Sequence, residues 1–367
     1  MTAPGFLAIG GGPAGVSAAE TFRSRHRDIP VRILSDDPAL PYAKPPLSKA
    51  FLCGEPPRLD LHSAGWFARN DIELTLGVRV ERIDLEARQV ITTGGVRHPY
   101  WHLVLATGST AVPLAVPGGG SALTLRSFAD AVALKMAARH AATAVVVGAG
   151  LIGCEAAACL SGLGVDTTLT APEAVPLHRR FGVDVGERVA KLLSDSGVRF
   201  VGSVRVAAVS EAGVTLATGE TLAADLVVAA TGARPDIGLA ERAGLAVRDG
   251  RVLADAHMRT SAPNVYAAGD ITLAHNVAAG RRVIAEHWRD AALQGRVAGL
   301  TAAGYAATWD RMSGYSCEIG RATLSYRGWS GPHDACAVTE YAGGFAAAYS
   351  LRRAPVGTLR VTTSPAS

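Results

Sequence analysis

The amino-acid sequence predicts an α/β fold class: two parallel-sheet domains followed by a small α+β C-terminal domain. Three observations carry this expectation. Of the 367 residues 49% are hydrophobic and 41 are glycine, a composition suited to sheets buried on both faces. The apolar run Phe6 to Ile9 leads into Gly10, Gly12 and Gly15, and a second run, Ala144 to Val147, leads into Gly148, Gly150 and Gly153. Each time strand, tight turn and helix-forming stretch follow one another, the Rossmann-like setting in which N–H groups at a helix N-terminus cradle a pyrophosphate. One such motif alone is a weak signal that a plain glycine-rich turn also produces. Two of them, far apart and each in context, imply two dinucleotides, and such chains most often hold one as a resident flavin and draw reducing equivalents from the other.

The elements follow in order. The first turn runs through a helix to a strand, Val31 to Leu34, that ends at Asp36 and Asp37, and a carboxylate about 20 residues past the glycines is where a ribose hydroxyl needs an acceptor. A solvated turn before Pro38 is the plain alternative for one of the two acids. Two apolar strands end alike, Leu103 to Thr107 before Gly108 and Leu226 to Thr231 before Gly232, and both read as crossings between domains. The second fingerprint lies between them. The expected organisation is therefore a discontinuous flavin-binding domain over residues 1–110 and 233–305, an inserted nicotinamide-binding domain over 111–232, and a C-terminal domain over 306–367. After the strand Asn264 to Ala267, Asp270 can accept from ribityl hydroxyls while backbone N–H groups beyond it meet phosphate; it also suits a helix N-cap. Apolar runs such as Ala322 to Tyr326 and Phe345 to Leu351 suggest a small antiparallel sheet.

Composition narrows the function classes. No apolar run has the length of a membrane-spanning helix, and the first strand begins within a few residues of Met1, which points to a cytoplasmic protein without a leader. A net charge of +4 is too small to imply nucleic acid, yet tolerates an acidic partner. Five cysteines show no dense pattern, so no disulfide framework and no metal site is expected. Cys154 and Cys159 lie five apart on one helix and point in different directions, as packing residues do. Lys49 follows the rigid pair Pro45-Pro46, and the chain has only four lysines beside 32 arginines; an ammonium held there would favour electron density arriving at a flavin.

The segment Pro41-Tyr42-Ala43-Lys44-Pro45-Pro46-Leu47-Ser48-Lys49, together with Val265-Tyr266-Ala267-Ala268-Gly269-Asp270 and Glu286-His287-Trp288-Arg289-Asp290-Ala291-Ala292-Leu293-Gln294, resembles the FAD-dependent ferredoxin and rubredoxin reductases of oxygenase systems. The resemblance covers about residues 5 to 330 and implies a glutathione-reductase-like fold with tightly bound FAD, reduction by NADH or NADPH, and delivery of single electrons to a small iron-sulfur ferredoxin. By position, Ala14, Asp36, Lys49, Val80, Arg126, Asp270 and Trp288 are implied to contact FAD. Trp309, at the start of the last domain, is implied to stand near the flavin on the partner-facing side. Glu155, just after Gly153, is implied to pair with Lys49 beside the nicotinamide, where a bare acid would merely favour the helix dipole.

Two departures stand beside these matches. Thr168-Leu169-Thr170-Ala171 holds no carboxylate where NADH-selective members bind the ribose diol; Ala171 occupies that place, and His178, Arg179 and Arg180 offer positive charge to a 2′-phosphate. The C-terminal domain is also shorter than the family's. Arg289 and Arg296, seven apart on one helical face, suggest a docking patch for the ferredoxin, or else a solvated face paired with Asp290 and Glu286. Monomer and homodimer both stay open. Two further readings remain: a thiol- or peroxide-type flavin reductase using Cys53, and a non-catalytic flavin-bound interaction protein.

Overall fold

The structure, a computed structural model, describes residues 3–54, 59–329 and 331–364. The chain forms two compact units: Met1–Ala43, Leu59–Ser109 and Pro235–Gly314 make the first, and Lys44–Arg58, Thr110–Arg234 and Tyr315–Ser367 the second.

In the first unit the strands Ile72–Thr75, Val31–Leu34, Gly5–Ile9 and Arg97–Leu105 lie side by side in parallel, and Arg97–Leu105 also pairs with Val265–Ala267. The sheet continues antiparallel into Gln89–Thr92 and Val80–Asp84. Every residue of Gly5–Ile9 and Val31–Leu34 is buried, as a sheet covered on both faces requires. The helices Pro13–Arg23 and Trp288–Ala302 pack closely because Gly295 and Gly299 let the second come against the carbonyls of Ala14 and Ala18. A smaller four-stranded sheet, Val247–Arg248, Arg251–Ala254, Thr272–Asn276 and Arg281–Ile284, completes this unit.

The second unit repeats the plan with four parallel strands, in the order Val198–Val201, Asp166–Thr170, Thr143–Val147, Leu226–Ala229. The helix Leu151–Gly162 follows the second glycine turn. A reciprocal capping box between Ser127 and Asp130 starts the helix Phe128–Ala138. Where the chain passes between units, Ser109–Ala111 and Ala233–Pro235 pair as a two-stranded ribbon. The C-terminal segment is a five-stranded antiparallel sheet in the order Gly314–Ile319, Ala322–Gly328, Ala354–Thr363, Gly344–Leu351, Ala335–Tyr341.

Three expectations change. The segment from Lys44 belongs with the second unit, because its side chains bond to the helix Leu151–Gly162. Residues 315–367 join the same unit instead of standing alone; the Glu318 N–H donates to Glu155 Oε1 at 3.1 Å. Among the described residues after Ala302 only strands occur, so the expected α+β domain is all-β there.

Candidate functional site

The two glycine turns have one geometry. Gly10 and Gly148 adopt φ of +115° and +110°, and a Cβ at either would strike a carbonyl, that of Ala106 or Ala230. Gly15 and Gly153 lie against the carbonyls of Gly10 and Gly148, which sets each helix tightly on its turn. Gly12 and Gly150 instead face open space. These two are the helix N-caps and no side chain caps either helix, so the first-turn N–H groups keep their hydrogen-bonding capacity for a ligand. An anion fits in front of each turn on those grounds.

Around the first turn Asp36 and Asp37 part company. Asp37 accepts the Ala39 N–H at 2.9 Å and the Tyr42 hydroxyl at 2.8 Å, fixing the turn. Asp36 is exposed and makes no hydrogen bond or ion pair among the described residues. Asp270 accepts from the Ser109 hydroxyl at 2.7 Å, and its carbonyl accepts from Arg251 at 3.0 Å; Arg251 is also paired with Glu286. The Gln294 side-chain carbonyl accepts from Gly269 N–H at 2.7 Å and Thr272 Oγ1 at 2.9 Å, holding the loop before Asp270. Sequence reasoning placed Gln294 in a family motif but gave it no role. Ala14 is buried against Gly295, and Val80 sits in the hydrophobic core with Leu7, Leu34 and Leu105. Trp288 is half-buried and opens the helix Trp288–Ala302, capped by His287. Trp309 is a correction. Its side chain is 1% exposed and its backbone is tied to Ala256 and Val277, so it is a core residue with no ring face for a flavin.

In the second unit the structure brings Lys49 and Glu155 together. Lys49 Nζ lies 2.7 Å from Glu155 Oε1, with the two side chains 13% and 4% exposed. The Ser48 hydroxyl donates to Glu155 Oε2 at 2.5 Å, and the Glu318 N–H donates to Oε1. A carboxylate so buried is tolerated only because each oxygen is satisfied, and removing the lysine alone would cost about 3–5 kcal/mol. Two thiols crowd the same region: burial pushes Cys154 and Cys317 far above the ordinary thiol range, with the Glu155 charge adding to the effect. They are inert as nucleophiles.

Cys53 and Cys159 are bonded to each other, with Cα atoms 5.1 Å apart. This corrects the expectation of unpaired, packing cysteines, and it removes Cys53 as a lone reactive thiol. Arg126 precedes the helix Phe128–Ala138 and donates its N–H to Asp130 at 2.9 Å. Ala171 directly follows the strand Asp166–Thr170 and is buried, 1% exposed. Beyond it Glu173 is bound by Arg179 at 2.5 Å, while His178, Arg179 and Arg180 are exposed. Among the described residues no His, Cys, Asp and Glu cluster could hold a metal, and no helix is long and apolar enough to cross a membrane.

Residues 6–295 match the pyridine nucleotide-disulphide oxidoreductase family. The ferredoxin–NAD(+) reductase component of the anthranilate 1,2-dioxygenase system of Burkholderia cepacia is 35% identical over 307 residues, 81% of this chain and 75% of that protein. Rubredoxin-NAD(+) reductase of Pseudomonas putida is 33% identical over 300 residues, 79% of this chain and 77% of that protein. Among solved structures, the covalent putidaredoxin reductase–putidaredoxin complex matches with a TM-score of 0.92 and 28% identity, covering 98% of this chain and 90% of that one. With two nucleotide turns of one geometry and a family match over most of its length, the chain belongs to the pyridine nucleotide-disulphide oxidoreductase family and is an oxidoreductase.

Proposed function

We propose that this chain is an NAD(P)H-dependent FAD reductase that delivers single electrons to a ferredoxin serving an oxygenase. The observation that carries the reading is the repeated turn, with two helix N-termini left uncapped and two open spaces at Gly12 and Gly150. The first turn takes the FAD pyrophosphate, with Asp36 on the ribose and Asp270 on the ribityl chain. Val80, Arg126 and Trp288 are further flavin contacts. The second turn takes the nicotinamide coenzyme. Bound FAD supplies the conversion of a two-electron donor into one-electron deliveries, so no acid–base side chain need do the chemistry.

Lys49 keeps a positive charge where electron density arrives, and Glu155, held by Ser48 and Glu318, fixes that ammonium in place. The missing acid at Ala171, with His178, Arg179 and Arg180 nearby, leaves NADPH acceptable beside NADH. Arg289 and Arg296, exposed on one helix, are the proposed ferredoxin contacts.

The reading is tested by mixing FAD-loaded protein with NADH and following cytochrome c reduction with and without a [2Fe–2S] ferredoxin or a rubredoxin. Strong dependence on the iron-sulfur or rubredoxin carrier is expected. Slow NADH oxidation that no such carrier accelerates would sink the reading in favour of a flavin-bound interaction protein. Replacing Lys49 by Met together with Glu155 by Gln, which strands no charge, should slow flavin reduction by NADH about 10- to 100-fold with FAD retained.

A further inference from the structure

Lys49 and Cys53 lie four residues apart, and so do Glu155 and Cys159. The first pair spans the short helix Ala50–Cys53 from its cap residue to its end, and the second lies within the helix Leu151–Gly162. A four-residue step sets side chains one turn apart on the same helical face. The ion pair and the disulfide are thus successive rungs between the same two segments. Lys49 Nζ meets Glu155 at 2.7 Å; one turn on, Cys53 is bonded to Cys159. Cys159 Sγ also lies 3.5 Å from the Lys49 carbonyl and 3.6 Å from that of Ser48, so the bridge touches the backbone of both residues that engage Glu155.

We propose that the Cys53–Cys159 disulfide is a reversible clamp on the Lys49–Glu155 pair, so that thiol–disulfide exchange at Cys53 sets how fast the chain accepts electrons from reduced nicotinamide. This rests on the role proposed above for Lys49 and Glu155. Bonded sulfurs sit about 2.05 Å apart, whereas two free thiols cannot approach closer than roughly 3.5 Å. Reduction therefore pushes the short helix away from its neighbour by about 1 Å or more, and the lysine at its start moves with it. Lys135 limits the displacement to a shift, because its Nζ donates to the carbonyls of Phe51 at 2.8 Å and Gly54 at 2.7 Å. Only one of the two sulfurs is open to attack: Cys53 is exposed and Cys159 is buried.

The exchange balances with a small thiol as reductant. Its thiolate forms a bond to Cys53 Sγ, the Cys53–Cys159 bond breaks, and Cys159 leaves as a thiolate that takes up a proton. A second thiolate attacks the outer sulfur, releasing Cys53 as a thiol and the small molecule as its disulfide. Oxidised glutathione runs the sequence backwards and is itself reduced to two thiols.

The test uses FAD-loaded protein, treated either with oxidised glutathione or with dithiothreitol and then desalted without oxygen. Thiol titration after denaturation should count three thiols, those of Cys154, Cys317 and Cys336, in the oxidised form and all five cysteines in the reduced form. Stopped-flow reduction of the flavin by saturating NADH is expected to be about 3- to 10-fold slower in the dithiothreitol-treated protein, short of the roughly 100-fold that a 1 Å misplacement of the reacting groups can cost, because Lys135 limits the shift. FAD content should not change, and oxidised glutathione should restore the rate. Cys53→Ser, at an exposed position, should sit at the slow rate and ignore dithiothreitol; Lys49→Met should be slow and equally insensitive. Five thiols after oxidant treatment, or equal rates in the two redox forms while Lys49→Met is slow, would overturn the clamp and leave the role of Lys49 standing. A wild-type rate in Lys49→Met would instead remove the reading of the ion pair, and the clamp with it.

Discussion

Each unit opens with the same strand, turn and helix, and the two diverge immediately afterwards. Gly10 N–H donates to the Leu34 carbonyl and Gly148 N–H to that of Thr170, both at 2.8 Å, so the turns correspond residue for residue. Past that point Ser35, Asp36 and Asp37 stand in the first unit where Ala171, Pro172 and Glu173 stand in the second. On the following helix Ser17 occupies the place of Glu155. The cradle for a pyrophosphate is backbone geometry, which any sequence with those glycines reproduces. What the nucleotide's sugar meets, and what charge lies nearby, is carried by side chains that are free to differ. The first unit has an unpartnered Asp36 after its turn, whereas the second has a buried Ala171 there and a buried ion pair on the following helix.

The sharpest way to break this comparison is to block one turn at a time. Gly12 and Gly150 have extended backbones, with φ of −76° and −80°, and an added Cβ meets nothing within 4 Å, so valine at either position leaves the fold intact and fills the ligand's space. Gly12→Val should purify colourless. Gly150→Val should stay yellow and be reduced by dithionite, while its reduction by NADH falls about 100-fold or more. If Gly150→Val lost its flavin as fully as Gly12→Val, the division of labour between the units would be wrong.

Buried carboxylates offer a second contrast. Glu155 is paired with a lysine, whereas Asp290 in the first unit is 1% exposed and its Oδ2 has no hydrogen-bond partner among the described residues. Burial raises its pKa to about 6, against the opposing pull of the nearby Ser313 hydroxyl and the Arg289 charge. A folded-state pKa above the unfolded value of 3.8 contributes stability below about pH 4 that is lost as pH rises through about 6. Unfolding free energy of wild type should therefore decline across that window by on the order of 2–3 kcal/mol from this group, and Asp290→Asn should flatten the decline in denaturant titrations at pH 4, 5, 6 and 7. An unchanged slope would mean that Asp290 is solvated or paired in solution.

Coenzyme choice gives a third, smaller effect. Wild type should discriminate between NADH and NADPH by less than about tenfold in kcat/KM, and Ala171→Glu should shift the ratio about tenfold toward NADH by repelling the 2′-phosphate. Glutamate is chosen over aspartate because the Ala171 methyl is buried and only the longer chain carries a carboxylate outward. A wild type already strongly selective for NADH would show that another group reads the ribose.

How much of this was legible in the sequence follows from where each feature's cause lies. The turns were, because their backbone demands glycine at Gly10 and Gly148 whatever the surroundings. The C-terminal strands were as well, since the short apolar runs Ala322 to Tyr326 and Phe345 to Leu351 mark two of them. Asp36 was set apart from Asp37 by the family resemblance alone, and the engagement of Asp37 by Ala39 and Tyr42 is a tertiary detail that the sequence did not show. The pairing of Lys49 with Glu155 came from family resemblance alone. The Cys53–Cys159 bridge joins residues separated by 106 positions, and although each lies four beyond a member of the ion pair, nothing local sets the two helices side by side. Trp309 was misread because its burial is a tertiary matter: its backbone is tied to Ala256 and Val277, far away in the chain.

The least perturbing contrast concerns arginines on the surface. In the second unit two arginines of the helix His178–Asp195 are engaged in ion pairs: the exposed Arg179 holds Glu173 at 2.5 Å and the half-buried Arg188 holds Glu340 at 2.9 Å. In the first, Arg289 and Arg296 are exposed two turns apart and form no ion pair among the described residues, since Glu286 is bound by Arg251 and Asp290 is turned into the core. Neither forms an ion pair with Glu286 or Asp290, and as the proposed ferredoxin contacts they would act mainly on the association rate. Arg296→Glu should raise the KM for an acidic ferredoxin about three- to tenfold at low salt and flatten its dependence on ionic strength. Reduction of a small neutral acceptor should stay at the wild-type rate. The equivalent reversal of Arg188, which breaks an ion pair in the second unit, should leave the ferredoxin KM unchanged. If Arg188→Glu weakened ferredoxin turnover as much as Arg296→Glu, the docking face would not lie on the first unit's helix, and the free arginines there would have no part in recognition.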